Sequence, residues 1–74
     1  MTLQEKLLAL EEIMELDEGS LSPETLLENI DEWDSLAALS FVVLLKDEFD
    51  KAIPGQQIRE FQTVQDMLDV MSNN

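Results

Sequence analysis

Ten consecutive residues, Leu36 to Leu45, are apolar at every position except Ser40, and they follow directly on the acidic stretch Asp31-Glu32-Trp33-Asp34-Ser35. The block reads as the body of a helix from Ser35 to about Asp50, with more apolar residues than one face can hold. At about 100° per residue, Ala38, Phe41, Leu45 and Phe49 fall on one stripe, and Leu36, Leu39 and Val43 fall roughly opposite. A helix apolar all round is either central in its bundle or offers its second face to another molecule. In a chain of 74 residues full burial of a long helix is hard to arrange, so Leu36, Leu39 and Val43 are a candidate docking surface.

The rest of the chain places further helices around this one. Thr2 and Glu5 have the spacing of a capping box, and Leu3, Leu7, Leu10 and Met14, widened by Ile13 and Leu16, form an apolar stripe over about Thr2 to Leu16. A long connection to Asp34 follows. Within it Ser22-Pro23-Glu24 predicts a short helical turn near Pro23 to Leu27, with Leu21, Leu26, Leu27 and Ile30 as the pins. Pro54-Gly55 marks the next loop, Ile58 to Phe61 suits one more turn, and Thr63 caps a last helix with Val64, Met67, Leu68 and Met71 on one face. The expectation is an all-α single domain over residues 1–74, a small bundle of three main helices plus one or two short ones. No internal repeat breaks the chain.

Charge then limits what the bundle can do. Seventeen Asp and Glu stand against Lys6, Lys46, Lys51 and Arg59, a net charge of −13. Such a surface repels nucleic acid and anionic lipid, favours basic patches on partner proteins, and argues for a monomer. The first ten residues, MTLQEKLLAL, lack the basic and apolar regions of a secretory signal, and no apolar block approaches the ~18 residues of a membrane span. A cytoplasmic protein is the expectation.

Catalysis near neutral pH needs groups that attack or titrate there, and the chain has no His, Cys or Tyr. An enzyme is therefore not expected. Nor is a metal site: counted from Asp31, a calcium-binding EF-hand loop would need Gly sixth and Glu twelfth, where this chain has Leu36 and Val42. Ser35 is left. It reads locally as a helix N-cap, yet a serine at an exposed helix start is also placed to carry a phosphate ester, since the helix N-terminus stabilises negative charge.

Asp34-Ser35-Leu36 resembles the modification motif of the acyl carrier protein family. Phe49 near the end of the second helix, Ile53-Pro54, and Thr63-Val64 at the last helix extend the similarity from about Leu3 to Met71. The resemblance implies an acyl-carrier-like bundle whose Ser35 receives 4'-phosphopantetheine from coenzyme A, with Asp34 helping a phosphopantetheinyl transferase to bind magnesium and coenzyme A. The arm's thiol would hold acyl or aminoacyl groups as thioesters for loading ligases and acyl-transferring enzymes with basic or apolar docking patches. Phe41, Leu45, Phe49, Ile53 and Ile58 would be candidates to line a cavity for such cargo. The chain also departs from the fatty-acid carriers. Trp33 stands where they usually have Gly, and Ala37, Ser40 and Lys46 stand where acids are common, leaving Asp47 and Glu48 as the late acids of the helix. Trp33, Leu36, Leu39, Val43, Asp47 and Glu48 are accordingly the expected partner contacts, and the departures point to a specialised biosynthetic pathway rather than the main fatty-acid synthase. Trp33 is either a partner anchor or a cover packed over its own loop. The competing expectation is a noncovalent acidic interaction module in which Ser35 is only a helix cap.

Overall fold

The computed structural model describes residues 2–71. Thr2 opens α1 (Leu3–Ile13) through the expected capping box: its hydroxyl accepts the Glu5 N–H at 3.2 Å, and the Glu5 carboxylate accepts the Thr2 N–H at 2.9 Å. The bond from the Thr2 backbone, and then that from its side chain, holds the Glu5 carboxyl below the ordinary glutamate range.

The apolar repeat of α1 overruns the helix. Met14 caps it and Glu15 turns left-handed at φ 58°, so that the N–H groups of Glu15 and Leu16 return to the carbonyls of Glu12 (3.1 Å) and Glu11 (2.8 Å). This paired closure usually places glycine where Glu15 stands. Without that glycine the sequence predicts helix through Leu16, which instead packs as a partly buried residue against the core.

The connection from α1 to α2 is held differently from expectation. No helix forms at Pro23; Ser22 to Thr25 make a tight turn, with the Thr25 N–H on the Ser22 carbonyl at 3.1 Å, and a single 3-10 turn follows at Leu27–Asn29. Leu21 and Leu27 are buried as pins, but Leu26 remains 41% exposed and acts through its backbone, in an isolated antiparallel bridge to Thr63. The Thr25 and Pro23 carbonyls accept the N–H groups of Val64 (3.0 Å) and Gln65 (2.9 Å). Loop carbonyls thus satisfy first-turn amides that a helix cannot satisfy itself. A second device is the Glu11 carboxylate, 3% exposed, whose Oε2 accepts the N–H groups of Gly19 and Leu21, each at 3.0 Å.

Helix α2 (Ser35–Phe49) crosses the molecule and packs against α1. Its buried stripe is Ala37, Phe41, Leu45 and Phe49; Ala38, assigned to that stripe from the sequence, is half-exposed, and Ala37, counted in neither stripe, is buried. The stripe begins at Ala37 because the end of α1 lies there, with Met14 and Ala37 lining one groove. Asp50 ends α2 in the left-handed conformation, which Asp tolerates better than most residues. Helix α3 (Gly55–Arg59) starts earlier than expected, directly after Pro54, which leaves Phe61 outside it and edge-on to Phe41 at 5.8 Å. Helix α4 (Val64–Val70) is opened by Thr63, whose hydroxyl accepts the Asp66 N–H at 3.3 Å, and buries Val64, Met67 and Leu68. Together α1, α2 and α4 with the short α3 and the 3-10 turn make an all-α bundle of acyl-carrier type. Among the described residues no helix is long and apolar enough to cross a membrane.

Candidate functional site

The start of α2 is built by the two residues before it. Asp34 is extended (φ −123°, ψ −170°), and its Oδ1 accepts the Ala37 N–H at 2.9 Å, so Asp34 is the N-cap. Ser35 is the first helical residue. The reading of Ser35 as a helix cap is therefore corrected: a residue with helical backbone at that position cannot turn its hydroxyl onto the amides ahead of it, whereas the extended Asp34 can.

This leaves the Ser35 hydroxyl uncommitted. Other described hydroxyls are engaged: Thr2 and Thr63 cap helices, Ser20 donates to the Asp17 carbonyl, and Ser22 and Thr25 bond each other. Among the described hydroxyl side chains only those of Ser35 and Ser40 stand outside any hydrogen bond, and Ser40 is half-buried within α2 whereas Ser35 is exposed. A group joined through an ester to a serine oxygen needs an accessible hydroxyl with no internal partner. Ser35 fits that requirement, and the first-turn amides of α2 add a field that favours a phosphate there.

The surroundings differ on the two sides of α2. A shallow groove toward α3 is lined by Trp33, Asp34, Ser35, Ala38, Ile58 and Arg59. Toward the end of α1 a second groove carries the carboxylates of Glu12, Glu15, Glu32 and Asp34 beside Leu36 and Ser40. Trp33 is half-buried, its ring edge-on to Phe41 at 6.3 Å, and Phe41 in turn meets Phe61. Trp33 therefore packs inward against Phe41 of α2, directly before Asp34 and Ser35.

The outer face of α2 is open. Leu36, Leu39 and Val43 are 72%, 62% and 51% exposed, and Leu39 and Val43 border a shallow apolar groove with Ile13, Ser40 and Leu44. Asp47 and Glu48 are exposed near the end of the helix, and Lys46 pairs with Asp50 at 3.1 Å on the surface. Of the residues considered for a cargo cavity, Phe41, Leu45 and Phe49 belong to the packed core, Ile53 is partly buried against it, and Ile58 is buried apart from it beside Ser35.

Sequence reasoning passed over Glu11 and Arg59. Glu11 stands within the stripe of Leu7, Leu10 and Met14, where a carboxylate facing solvent is not expected, and that position was the available signal. For Arg59 the signal was a cation inside an acid-free stretch of a strongly acidic chain.

A family model described as phosphopantetheine attachment site matches residues 7–71, most of the chain. Comparison with curated proteins and with solved structures gives no match.

Proposed function

This chain belongs to the phosphopantetheine attachment-site family, whose carrier domains bear 4'-phosphopantetheine and are not themselves enzymes, and from that membership we propose that Ser35 carries the arm and that the molecule delivers acyl or aminoacyl thioesters in a specialised pathway. Once attached, the arm supplies the thiol that a chain without Cys lacks. In the attachment step the Ser35 oxygen bonds to the pantetheine-bearing phosphorus of coenzyme A, the pyrophosphate bond breaks, adenosine bisphosphate leaves, and the serine proton passes to a base on the transferase. The observation that carries this reading is the free, exposed Ser35 hydroxyl behind an Asp34 that takes over the capping bond. Asp34 has one oxygen on the Ala37 amide, and its carboxylate is the group we assign to the transferase's magnesium and coenzyme A.

Family carriers meet a phosphopantetheinyl transferase and acyl-handling enzymes. For this chain we assign recognition to Leu36, Leu39 and Val43, supported by their exposure, with Trp33, Asp47 and Glu48 at the margins. The specialised pathway is supported by the acid-free outer face of α2 between Leu36 and Leu45. We assign the molecule to the cytoplasm and treat residues 1–74 as one domain. The test is elongation: the pantetheinylated chain, acylated and offered to a general fatty-acid ketosynthase, is expected to be a poor substrate beside a fatty-acid carrier. Efficient elongation would overturn the specialised role and leave the carrier role standing.

A further inference from the structure

Helix α3, Gly55-Gln56-Gln57-Ile58-Arg59, contains no carboxylate, whereas α1 carries Glu5, Glu11 and Glu12, the end of α2 Asp47 and Glu48, and α4 Asp66 and Asp69. Its Arg59 is exposed, makes no ion pair among the described residues, and lines the same groove as Ser35. Glu60 follows it in sequence, but adjacent residues point away from each other on a helical turn. A guanidinium left without a carboxylate partner in so acidic a chain, on the wall of the groove that holds the uncommitted serine, suggests an anionic partner that is not part of the chain.

Resting on the attachment of the arm at Ser35, we propose that Arg59 is a positioning residue that pairs with the phosphodiester joining the arm to the protein. Two features set the direction. On the α1 side of α2, Glu12, Glu15, Glu32 and Asp34 line the groove and repel a phosphate; on the α3 side Asp34 is the single carboxylate among the lining residues and Arg59 is the single cation. The α3 side also carries the apolar surfaces of Trp33, Ala38 and Ile58, which suit the branched methyl-bearing segment that follows the phosphate in pantetheine. Arginine matches a phosphate with parallel N–H donors where lysine offers a point charge, so the two are not equivalent at this position. Arg59 thereby biases the root of the arm toward α3 and away from the acidic mouth at α1.

The test uses the pantetheinylated protein and its Arg59→Gln and Arg59→Lys variants, with loading verified by intact mass and the fold by backbone amide spectra. Phosphorus NMR of the diester is read at low and high salt, together with relaxation of the arm's methyl protons. For the wild type the phosphorus resonance is expected to move as salt screens the pair, and R59Q is expected to lie at the high-salt position at all salt concentrations, with more mobile arm methyls. R59K should fall between. A loaded R59Q protein whose phosphorus resonance, salt response and methyl relaxation equal the wild type overturns the role of Arg59 alone. A wild-type chain that accepts no arm overturns the attachment at Ser35 and this inference with it.

Discussion

With Ser35 as the proposed attachment residue, Asp34 and Ser35 divide two tasks that a single serine could have combined. The Asp34 carboxylate closes the helix at the Ala37 amide, which releases the neighbouring hydroxyl from any structural duty. Ser35→Ala is therefore expected to leave unfolding free energy within about 0.5 kcal/mol of wild type while abolishing modification. Asp34→Ala should cost ~0.5–2 kcal/mol, and Asp34→Asn should recover the stability but not the rate of loading, because Asn caps as well as Asp and lacks the carboxylate. Urea titration and timed mass spectra separate the two effects. From the sequence alone Ser35 was the natural cap, since both residues cap well and the choice depends on which one leaves the helical backbone region. Glu11 is a second residue whose role the sequence hides among sixteen other acids. Its carboxylate satisfies two loop amides in a buried setting, so Glu11→Ala is predicted to cost ~2–3 kcal/mol, with faster hydrogen exchange at Gly19 and Leu21. For a domain of this size, with roughly 4–11 kcal/mol in total, that is a large share.

The starts of α1 and α4 are legible because their capping is local. The capping boxes at Thr2 and Thr63 involve residues three apart, and both helices begin where the sequence places them. Helix ends and the long connection are not legible, because distant partners decide them. Glu15 adopts a left-handed turn without the usual glycine, Leu26 is fixed by a bridge to Thr63, and the buried phase of α2 is set at Ala37 by the end of α1. One residue of phase moved Ala38 outward and Ala37 inward, yet the outer stripe of Leu36, Leu39 and Val43 held. On the proposed assignment of that outer stripe to partner contact, the two faces separate stability from recognition on one helix. Phe41→Ala, which empties a fully buried site between Trp33 and Phe61, should cost ~3–5 kcal/mol. Leu39→Ser should stay within about 0.5 kcal/mol and instead slow transfer to partner enzymes, seen as a raised KM for the carrier. A large loss of stability in L39S would mean that the outer stripe is core.

Across the whole molecule charge and apolar surface are arranged unevenly. The Cα trace spans about 26 × 26 × 19 Å, so every part of the surface lies within a few Debye lengths of the net charge of −13. Acids gather at the end of α1 and before α2, the outer face of α2 is apolar, and α3 is acid-free with Arg59 at its end. Long-range attraction would bring basic partners to the end of the bundle where Ser35 lies, and short-range apolar contact along α2 would then hold them. Membership of the attachment-site family makes the molecule a bearer of chemistry done elsewhere. The bearing point we propose is Ser35. The most direct measurement is the intact mass of the wild type, Ser35→Ala and Ser40→Ala after incubation with coenzyme A, magnesium and a broad-specificity phosphopantetheinyl transferase. A single pantetheinyl addition is expected in the wild type and in S40A, and none in S35A; an unmodified wild type, or an addition that persists in S35A, would rule out attachment at Ser35.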